Sequence, residues 1–147
     1  MAKTGQDALI PSIMLIVAAA LIDSEGKVLV QRRPAGKMMA GLWEFPGGKI
    51  EPGETPEFAL VRELDEELGI AVDAGRLNPV AFASEPLAGR HMLLLLYICR
   101  SWEGSPRALD AEELLWCKPE SLRALDMPPA DRPLIGLLEA ILRVAHN

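Results

Sequence analysis

The sequence contains little of what several protein classes require. Its two cysteines, Cys99 and Cys117, lie in apolar stretches without the spacing of a zinc site, so we predict buried, reduced thiols. Aromatic residues make up only 5% of the chain, and we interpret the isolated Trp43 and Trp102 as packing residues rather than base-stacking platforms. His91 is interpreted as a strand residue, so no histidine enters the predicted chemistry.

Excess basic charge and long apolar runs are also missing. The formal net charge is −6, so no sequence-wide basic field exists to gather nucleic acid, and we expect no stable nucleic-acid binding. The apolar run 13–22 is about half the length of a membrane span and lacks the charged start and cleavage pattern of a signal peptide. We therefore expect a cytoplasmic protein with no membrane association, and nothing implies an obligate protein partner. The acidic composition is still compatible with a small anionic ligand if a cation or a few arginines neutralise the charge of that ligand locally.

The chain is long and apolar enough for one globular domain. Half of its 147 residues are hydrophobic, which predicts a single domain over 1–147 with a flexible polar segment at 1–8. Apolar runs predict five strands, and a segment rich in Gly, Pro and Met predicts a long ordered loop with short extended pieces at 32–52. The strands are expected at 13–21, 27–31, 77–83, 92–99 and 114–117, with turns at 23–26 and 118–119.

Two helices are predicted. Thr55 and Pro56 are typical of a helix start and Gly69 of a residue just after a helix end, while Leu60, Val61, Leu64 and Leu68 form an apolar stripe between them. The second helix is expected to begin near Asp131 or Pro133. Its predicted apolar face consists of Leu134, Leu137, Leu138, Ile141 and Leu142. Strands with these two helices favour a mixed sheet packed between helices.

Three carboxylates share one face of the central helix. Glu63, Glu66 and Glu67 stand at positions i, i+3 and i+4, opposite the leucine stripe. Like charges at this spacing repel unless a cation lies among them, and hard oxygen ligands suit Mg²⁺ or Mn²⁺. The alternative is a solvated acidic helix face. The neighbouring Gly47-Gly48 and the acidic Glu54 favour the metal site over that alternative.

Residues 48–70 match the pattern G-x5-E-x7-R-E-U-x-E-E-x-G-U at every fixed position, where U is apolar. The chance probability is on the order of 10⁻⁹ per start position. By this motif the chain resembles the Nudix hydrolase family, which implies an α/β/α sandwich with a central mixed sheet and hydrolysis of a nucleoside diphosphate linked to another moiety. The fixed positions are Gly48, Glu54, Arg62, Glu63, Glu66, Glu67 and Gly69, with apolar Leu64 and Ile70.

The resemblance assigns roles to the motif residues. Glu63, Glu66 and Glu67, with the carbonyl of Gly47 or Gly48, would hold Mg²⁺, with Mn²⁺ as a substitute. Arg62 would belong to the catalytic group by pairing with Glu66 and holding the carboxylates in place. Three further positions would be structural or orienting: Gly48, Glu54 and Gly69.

The segments 31–33, 42–49 and 128–133 extend the resemblance to the MutT-type branch, which removes oxidised nucleotides. It implies a phosphate contact for Arg33, a nucleotide contact for Arg90, and Phe45 and Asp131 beside the base. The branch has Asn where this chain has Asp131, and relatives that hydrolyse CTP and modified deoxycytidine triphosphates also carry Pro-Ala-Asp there. An ionised carboxylate accepts from purine N–H groups or from the cytosine amine. Asp131 could also cap the last helix, and capping and base recognition are not exclusive.

The acidic loop 109–113 precedes the strand that ends near Trp116. The family supplies a further metal ligand or general base at this place. Counting back from Trp116 favours Asp110 for this role. Glu112 is the alternative if the register of the loop differs. The non-catalytic interpretation is an ordinary acidic loop exposed to solvent. A base that acts near a metal can work at an ordinary carboxylate pKa.

Together these features predict hydrolysis of a nucleoside triphosphate to the monophosphate and pyrophosphate, with 8-oxo-dGTP the leading substrate. A CTP or modified-dCTP pyrophosphatase is the nearest alternative. A different enzyme alternative is hydrolysis of dinucleoside polyphosphates or nucleotide sugars. In that case pyrophosphate would not be the product. The alternative outside enzymology is a nucleotide-sensing module on the same fold, which would not need the full set of carboxylates.

Overall fold

A computed structural model describes residues 12–145 of the chain, so the flexible segment expected at 1–8 lies outside the described residues. Strands and helices follow in an order that matches the predicted elements, with longer strands after residue 77. They are β1 (Ser12–Leu21), β2 (Val28–Arg32), β3 (Trp43–Glu44), β4 (Gly47–Lys49), α1 (Pro56–Leu68), β5 (Asn78–Leu87), β6 (Arg90–Cys99), β7 (Glu113–Cys117) and α2 (Arg132–Ala145). Short 3₁₀ helices cover Ala74–Arg76 and Pro119–Ala124.

The strands form two sheets. The larger one has the order β4-β1-β6-β5, in which β1 and β6 run parallel and the other neighbours antiparallel. The smaller one has the order β3-β2-β7 and is antiparallel throughout. The larger sheet is therefore mixed, as expected.

Alternating residues of β1 face two separate hydrophobic cores, because successive side chains of a strand point to opposite faces. Val17 and Ala19 pack with the buried leucines of α1, whereas Ala18 and Ala20 pack with the buried side chains of α2. Strand β2 alternates in the same way, with Leu29 in the α1 core and Val30 in the α2 core. The two helices thus cover opposite faces of the strands, which is the predicted sandwich.

The expectation that the whole apolar strand 13–21 and the whole apolar face of the last helix are buried is wrong in part. The first half of β1 is not buried: Ile13 is 48% exposed, because the α1 core covers this strand only from Val17 onward. Leu137 is 46% exposed, since Leu134 and Leu138 turn α2 toward the strands along a narrower stripe. Helical periodicity shows which residues share a face, and the packing of neighbouring elements decides how wide a face is covered.

The cysteines, Trp102 and His91, which we interpreted as structural residues, make packing or strand contacts. Cys99 and Cys117 are free and buried. Trp102 stacks on Trp116 with ring centroids 6.0 Å apart. His91 lies within β6, beside Ser84 of β5. Within residues 12–145, no helix is both long enough and apolar enough to cross a bilayer.

Candidate active site

Helix α1 carries the acidic motif and has well-defined ends. The Thr55 hydroxyl accepts the Phe58 N–H at 3.3 Å, and Pro56 occupies the first helical turn, where its missing N–H is no loss. Gly69 ends the helix with a φ of 69°, a left-handed conformation that glycine adopts without steric cost. Leu60, Leu64 and Leu68 are fully buried beneath. The buried stripe therefore directs the opposite, acidic face of the helix toward β4.

Arg62 connects three of the motif carboxylates. Its Nε and Nη2 donate to the two oxygens of Glu54 at 2.7 and 2.8 Å, a bidentate contact. Its Nη1 donates to Glu63 at 2.9 Å and to Glu66 at 3.3 Å. Hydrogen bonds from Arg62 lower the pKa of Glu54 to about 2, so this carboxylate stays ionised. Glu54 acts here as an anchor for Arg62, in keeping with the orienting role expected of it.

Glu67 lies deeper than the other two helical carboxylates. Its Oε2 accepts the Gly47 N–H at 3.0 Å and the Gln31 side-chain amide at 3.1 Å. Burial, and next the negative charge of Glu63, raise the pKa of Glu67 to about 8, although the hydrogen bonds from Gly47 and Gln31 act in the opposite direction. The carboxylate is thus held between the helix and the Gly47-Gly48 strand, with Glu63 as a like-charged neighbour.

Glycine at position 48 leaves free the space that the Glu63 carboxylate occupies. A Cβ on Gly48 would stand 2.5 Å from both the carboxyl carbon and Oε1 of Glu63. The backbone of β4 therefore comes into direct contact with the carboxylate.

This set of donors fits a hard divalent cation. Burial raises the pKa of Glu63 as well as that of Glu67, and a cation between them would offset both the desolvation and the mutual repulsion. As the side chains stand, no three Asp, Glu, His or Cys groups within residues 12–145 converge on one metal position. Arg62 holds Glu63 and Glu66 to one side, while Gly47 and Gln31 hold Glu67.

A second cluster lies beside the motif and contains three predicted substrate contacts. Asp131 is 6% exposed, and its Oδ2 accepts the Phe45 N–H at 3.2 Å. Burial is the main cause that raises the pKa of Asp131 to about 7. Arg33 is bound to Glu44 at 2.9 Å, and its positive charge favours the ionised form of Asp131. The structure therefore brings Arg33, Phe45 and Asp131 together.

The Asp131 side chain does not cap the last helix, which was one of the two roles considered for it. Among the described residues, its carboxylate bonds to Phe45 and not to an amide of α2, while its backbone carbonyl accepts the Leu134 N–H. The side chain therefore belongs to the Arg33 cluster rather than to the helix terminus.

The loop before β7 places Asp110 at the rim of this cluster. The Asp110 side chain is 53% exposed and pairs with Lys37 at 3.6 Å. Burial is the main cause that raises the pKa of Glu44, and the negative charge of Asp110 adds to it. Glu112 instead pairs with Arg32 at 3.6 Å and donates its N–H to the carbonyl of the same residue. Of the two alternatives, Glu112 is thus engaged with β2 and Asp110 faces the rim.

Arg90 lies elsewhere. It stands opposite Ser12 in the register of β1 and β6, and its Nε donates to the Ser12 hydroxyl at 3.2 Å. The loop next to Phe45 meets β1 at Ala19, whose N–H donates to the Pro46 carbonyl. Ser12 and Ala19 are about 23 Å apart along the strand at ~3.3 Å per residue. The structure does not bring Arg90 to Asp131, and its nucleotide contact stays a prediction.

Two residues of the site were not singled out by the sequence. Gln31 is 3% exposed and contacts Glu67, and Glu44 pairs with Arg33 between Glu67 and Asp131. A polar residue at the end of an apolar strand was the available signal for Gln31. Both residues also lie in segments that carry part of the family resemblance, Gln31 in 31–33 and Glu44 in 42–49.

Comparison with known proteins agrees with this geometry. The family model for the NUDIX domain matches residues 13–138. The chain is 41% identical over 128 residues to the CTP pyrophosphohydrolase of Escherichia coli strain K12, covering 87% of this chain and 93% of that protein. It is 39% identical to the 8-oxo-dGTP diphosphatase of the same organism, covering 86% and 98%. The solution structure of the E. coli ORF135 protein superimposes with a TM-score of 0.81 at 38% identity, covering 98% and 97% of the two chains.

The fold and the acidic helix define an α/β/α hydrolase scaffold. The chain belongs to the Nudix family, and its near relatives include MutT-type enzymes of that family. The resemblance inferred from residues 48–70 is confirmed.

Proposed function

We propose that this protein is a divalent-metal-dependent pyrophosphohydrolase that converts a nucleoside triphosphate and water into the monophosphate and pyrophosphate. The observation that carries the proposal is the partly buried Glu67 carboxylate, held against the Gly47 N–H beside Glu63. Two partly buried carboxylates of like charge disfavour the folded state unless a cation lies between them. Relatives named CTP pyrophosphohydrolase and 8-oxo-dGTP diphosphatase support the same reaction.

In this proposal Glu63, Glu66 and Glu67, with the Gly47 or Gly48 carbonyl, hold Mg²⁺, and Mn²⁺ substitutes for it. The bound ion supplies charge neutralisation and Lewis acidity at the phosphate oxygens. Arg62 keeps the carboxylates oriented, with Glu54 as its anchor.

Two residues outside the helix complete the proposed chemistry. Asp110, exposed at the rim, accepts a proton from the attacking water. Arg33 exchanges Glu44 for the phosphate chain of the substrate, because a guanidinium binds phosphate as it binds a carboxylate.

Phe45 and Asp131 border the base in this proposal, with 8-oxo-dGTP the leading substrate. A pKa of about 7 leaves a substantial neutral fraction of Asp131 at physiological pH. A neutral carboxyl group donates and accepts at once, as the asparagine of the MutT pattern does, so it suits the mixed donor and acceptor edge of a guanine. The substrate is a free nucleotide, and no other partner is required.

A cytosine nucleotide is the second candidate, and the ionised form of Asp131 is compatible with it. A carboxylate only accepts hydrogen bonds, which matches the exocyclic amine of CTP or of a modified dCTP. The 41% identity with a CTP pyrophosphohydrolase supports the same candidate.

Pyrophosphate release by purified protein with Mg²⁺ tests both candidates, with 8-oxo-dGTP, dGTP, CTP and 5-methyl-dCTP compared at low micromolar concentration. Selective turnover of 8-oxo-dGTP supports the first candidate, and preference for the cytosine nucleotides supports the second. No pyrophosphate from any of them would contradict the proposed reaction. Glu67→Gln should abolish turnover while the protein stays folded, and an active variant would overturn the role of Glu67.

A further inference from the structure

Gln31 occupies a position where the strand pattern calls for an apolar side chain. It lies on β2 two residues after Leu29, whose side chain is buried in the core beneath α1. Residues two apart on a strand point to the same face, so Gln31 is directed toward α1 as well. With 3% exposure it is one of only two buried polar or charged side chains within residues 12–145.

The Gln31 amide controls which oxygen of Glu67 is available. Its Nε2 donates to Glu67 Oε2 at 3.1 Å, and the Gly47 N–H donates to the same oxygen at 3.0 Å. Glu67 would bind a metal in its ionised form, which only accepts hydrogen bonds, so in that form the nitrogen end of the Gln31 amide faces it. Two donors on Oε2 fix the plane of the carboxylate and leave Glu67 Oε1 without a hydrogen bond among the described residues.

The oxygen end of the Gln31 amide has no hydrogen-bond donor facing it among the described residues. Gln31 Oε1 is buried and has no hydrogen-bond partner within residues 12–145. A buried acceptor without a donor lowers stability, and an apolar side chain of similar length would avoid that loss. Local arrangements that reduce stability are found mainly at functional sites. A purely structural role for Gln31 therefore does not account for its presence.

We propose that Gln31 is a positioning residue that orients Glu67 so that Oε1 of that carboxylate faces the metal. This inference rests on the proposed function, in which Glu67 is a metal ligand. Partners that orient a ligand commonly change metal affinity by 10- to 100-fold when they are removed. Gln31 acts through Glu67 and does not itself contact metal or substrate.

The test is the affinity of the purified protein for Mn²⁺ without substrate, measured by electron paramagnetic resonance of the free ion, together with thermal unfolding. Gln31→Met keeps the length of the side chain and removes both polar atoms. Val30→Ala is the matched control, because it disturbs the neighbouring position on β2 but faces the other core. Glu67→Gln reports separately on the proposed metal site.

We expect Gln31→Met to weaken Mn²⁺ binding by about 10-fold or more, with an unfolding temperature no lower than that of the wild type. Val30→Ala should lower the unfolding temperature and leave Mn²⁺ affinity within about twofold. If Gln31→Met does not fold, Gln31→Asn replaces it, because its amide is one methylene too short to reach Glu67, and the same loss of affinity is expected.

Three outcomes would contradict either the positioning role of Gln31 or the metal-ligand role of Glu67. Wild-type Mn²⁺ affinity in the Gln31 variant, with binding lost in Glu67→Gln, removes the role of Gln31 and leaves the proposed function intact. Equal loss of affinity in Val30→Ala shows that strand stability, and not the amide, is responsible. Unchanged affinity in Glu67→Gln removes the metal-ligand assignment itself.

Discussion

Replacing Gly48 with alanine tests the contact on which the candidate site depends. The new Cβ would stand 2.5 Å from the Glu63 carboxyl carbon and 2.7 Å from Oε2. Two carbon atoms make a normal contact at ~3.5 Å, so the carboxylate has to move back by about 1 Å. Glu63 can do so by rotating its side chain, because the crowded atoms are at the end of a flexible chain and not in the backbone.

The expected effect is a loss of activity with little loss of stability. A displacement of about 1 Å at a catalytic group can cost about 100-fold in rate, so kcat/KM for the preferred triphosphate should fall by about that factor. The unfolding temperature should change by no more than a few degrees. Pyrophosphate release at saturating Mg²⁺ and thermal unfolding measure the two quantities on the same preparations.

Gly47→Ala is the matched control, because its Cβ meets backbone instead of a side chain. It would overlap the Val17 carbonyl oxygen and stand 2.7 Å from the Ala18 Cα. Strand β1 cannot rotate away, so we expect a loss of about 1–3 kcal/mol in the free energy of unfolding. Wild-type kcat/KM in Gly48→Ala would refute the role of Glu63, and equal destabilisation by both variants would refute the argument about side-chain freedom.

Three further predictions concern single interactions. Arg62→Lys should lower kcat by about 10- to 100-fold, because lysine cannot replace the bidentate contact with Glu54. Thr55→Ala should lower the unfolding free energy by about 1 kcal/mol in chemical denaturation and leave kcat/KM unchanged. The pKa of Asp131 is raised from its ordinary value of 3.8 to about 7, so deprotonation disfavours the folded state. Its contribution to stability is fully present below pH ~4 and is lost as pH rises through about 7. Asp131→Asn should flatten this dependence in metal-free denaturant titrations.

Each of these has an outcome that would contradict it. Wild-type kcat in Arg62→Lys would show that a single positive charge suffices. A loss of kcat/KM in Thr55→Ala would show that the start of α1 affects the site and not only the helix. An unchanged slope of stability with pH in Asp131→Asn would place the responsible group elsewhere.

Local chemistry made α1 predictable. The cap at Thr55, the left-handed residue at Gly69 and the leucine stripe all depend on neighbours within a few residues, and the structure shows each as expected. The strands were predicted less well at their ends. β5 extends to Leu87 rather than Ala83, because its pairing with β6 and not its own composition decides its length.

Burial was harder to predict than secondary structure. Ile13 and Leu137 fit the apolar pattern of their elements and are nevertheless half exposed. The covering element decides this, and the sequence of a strand does not contain the position of the helix that packs on it.

By itself, the sequence determined the family through the motif at 48–70. It also determined the acidic face of α1, because a helix places residues three and four apart together without help from the rest of the chain. Tertiary structure alone decided which groups meet that face. Gln31 reaches Glu67 across 36 residues of sequence, and Asp131 reaches Phe45 across 86. Contacts of this kind depend on sheet order and strand register. No local pattern encodes either, so nothing in the sequence indicated that Arg90 lies next to Ser12.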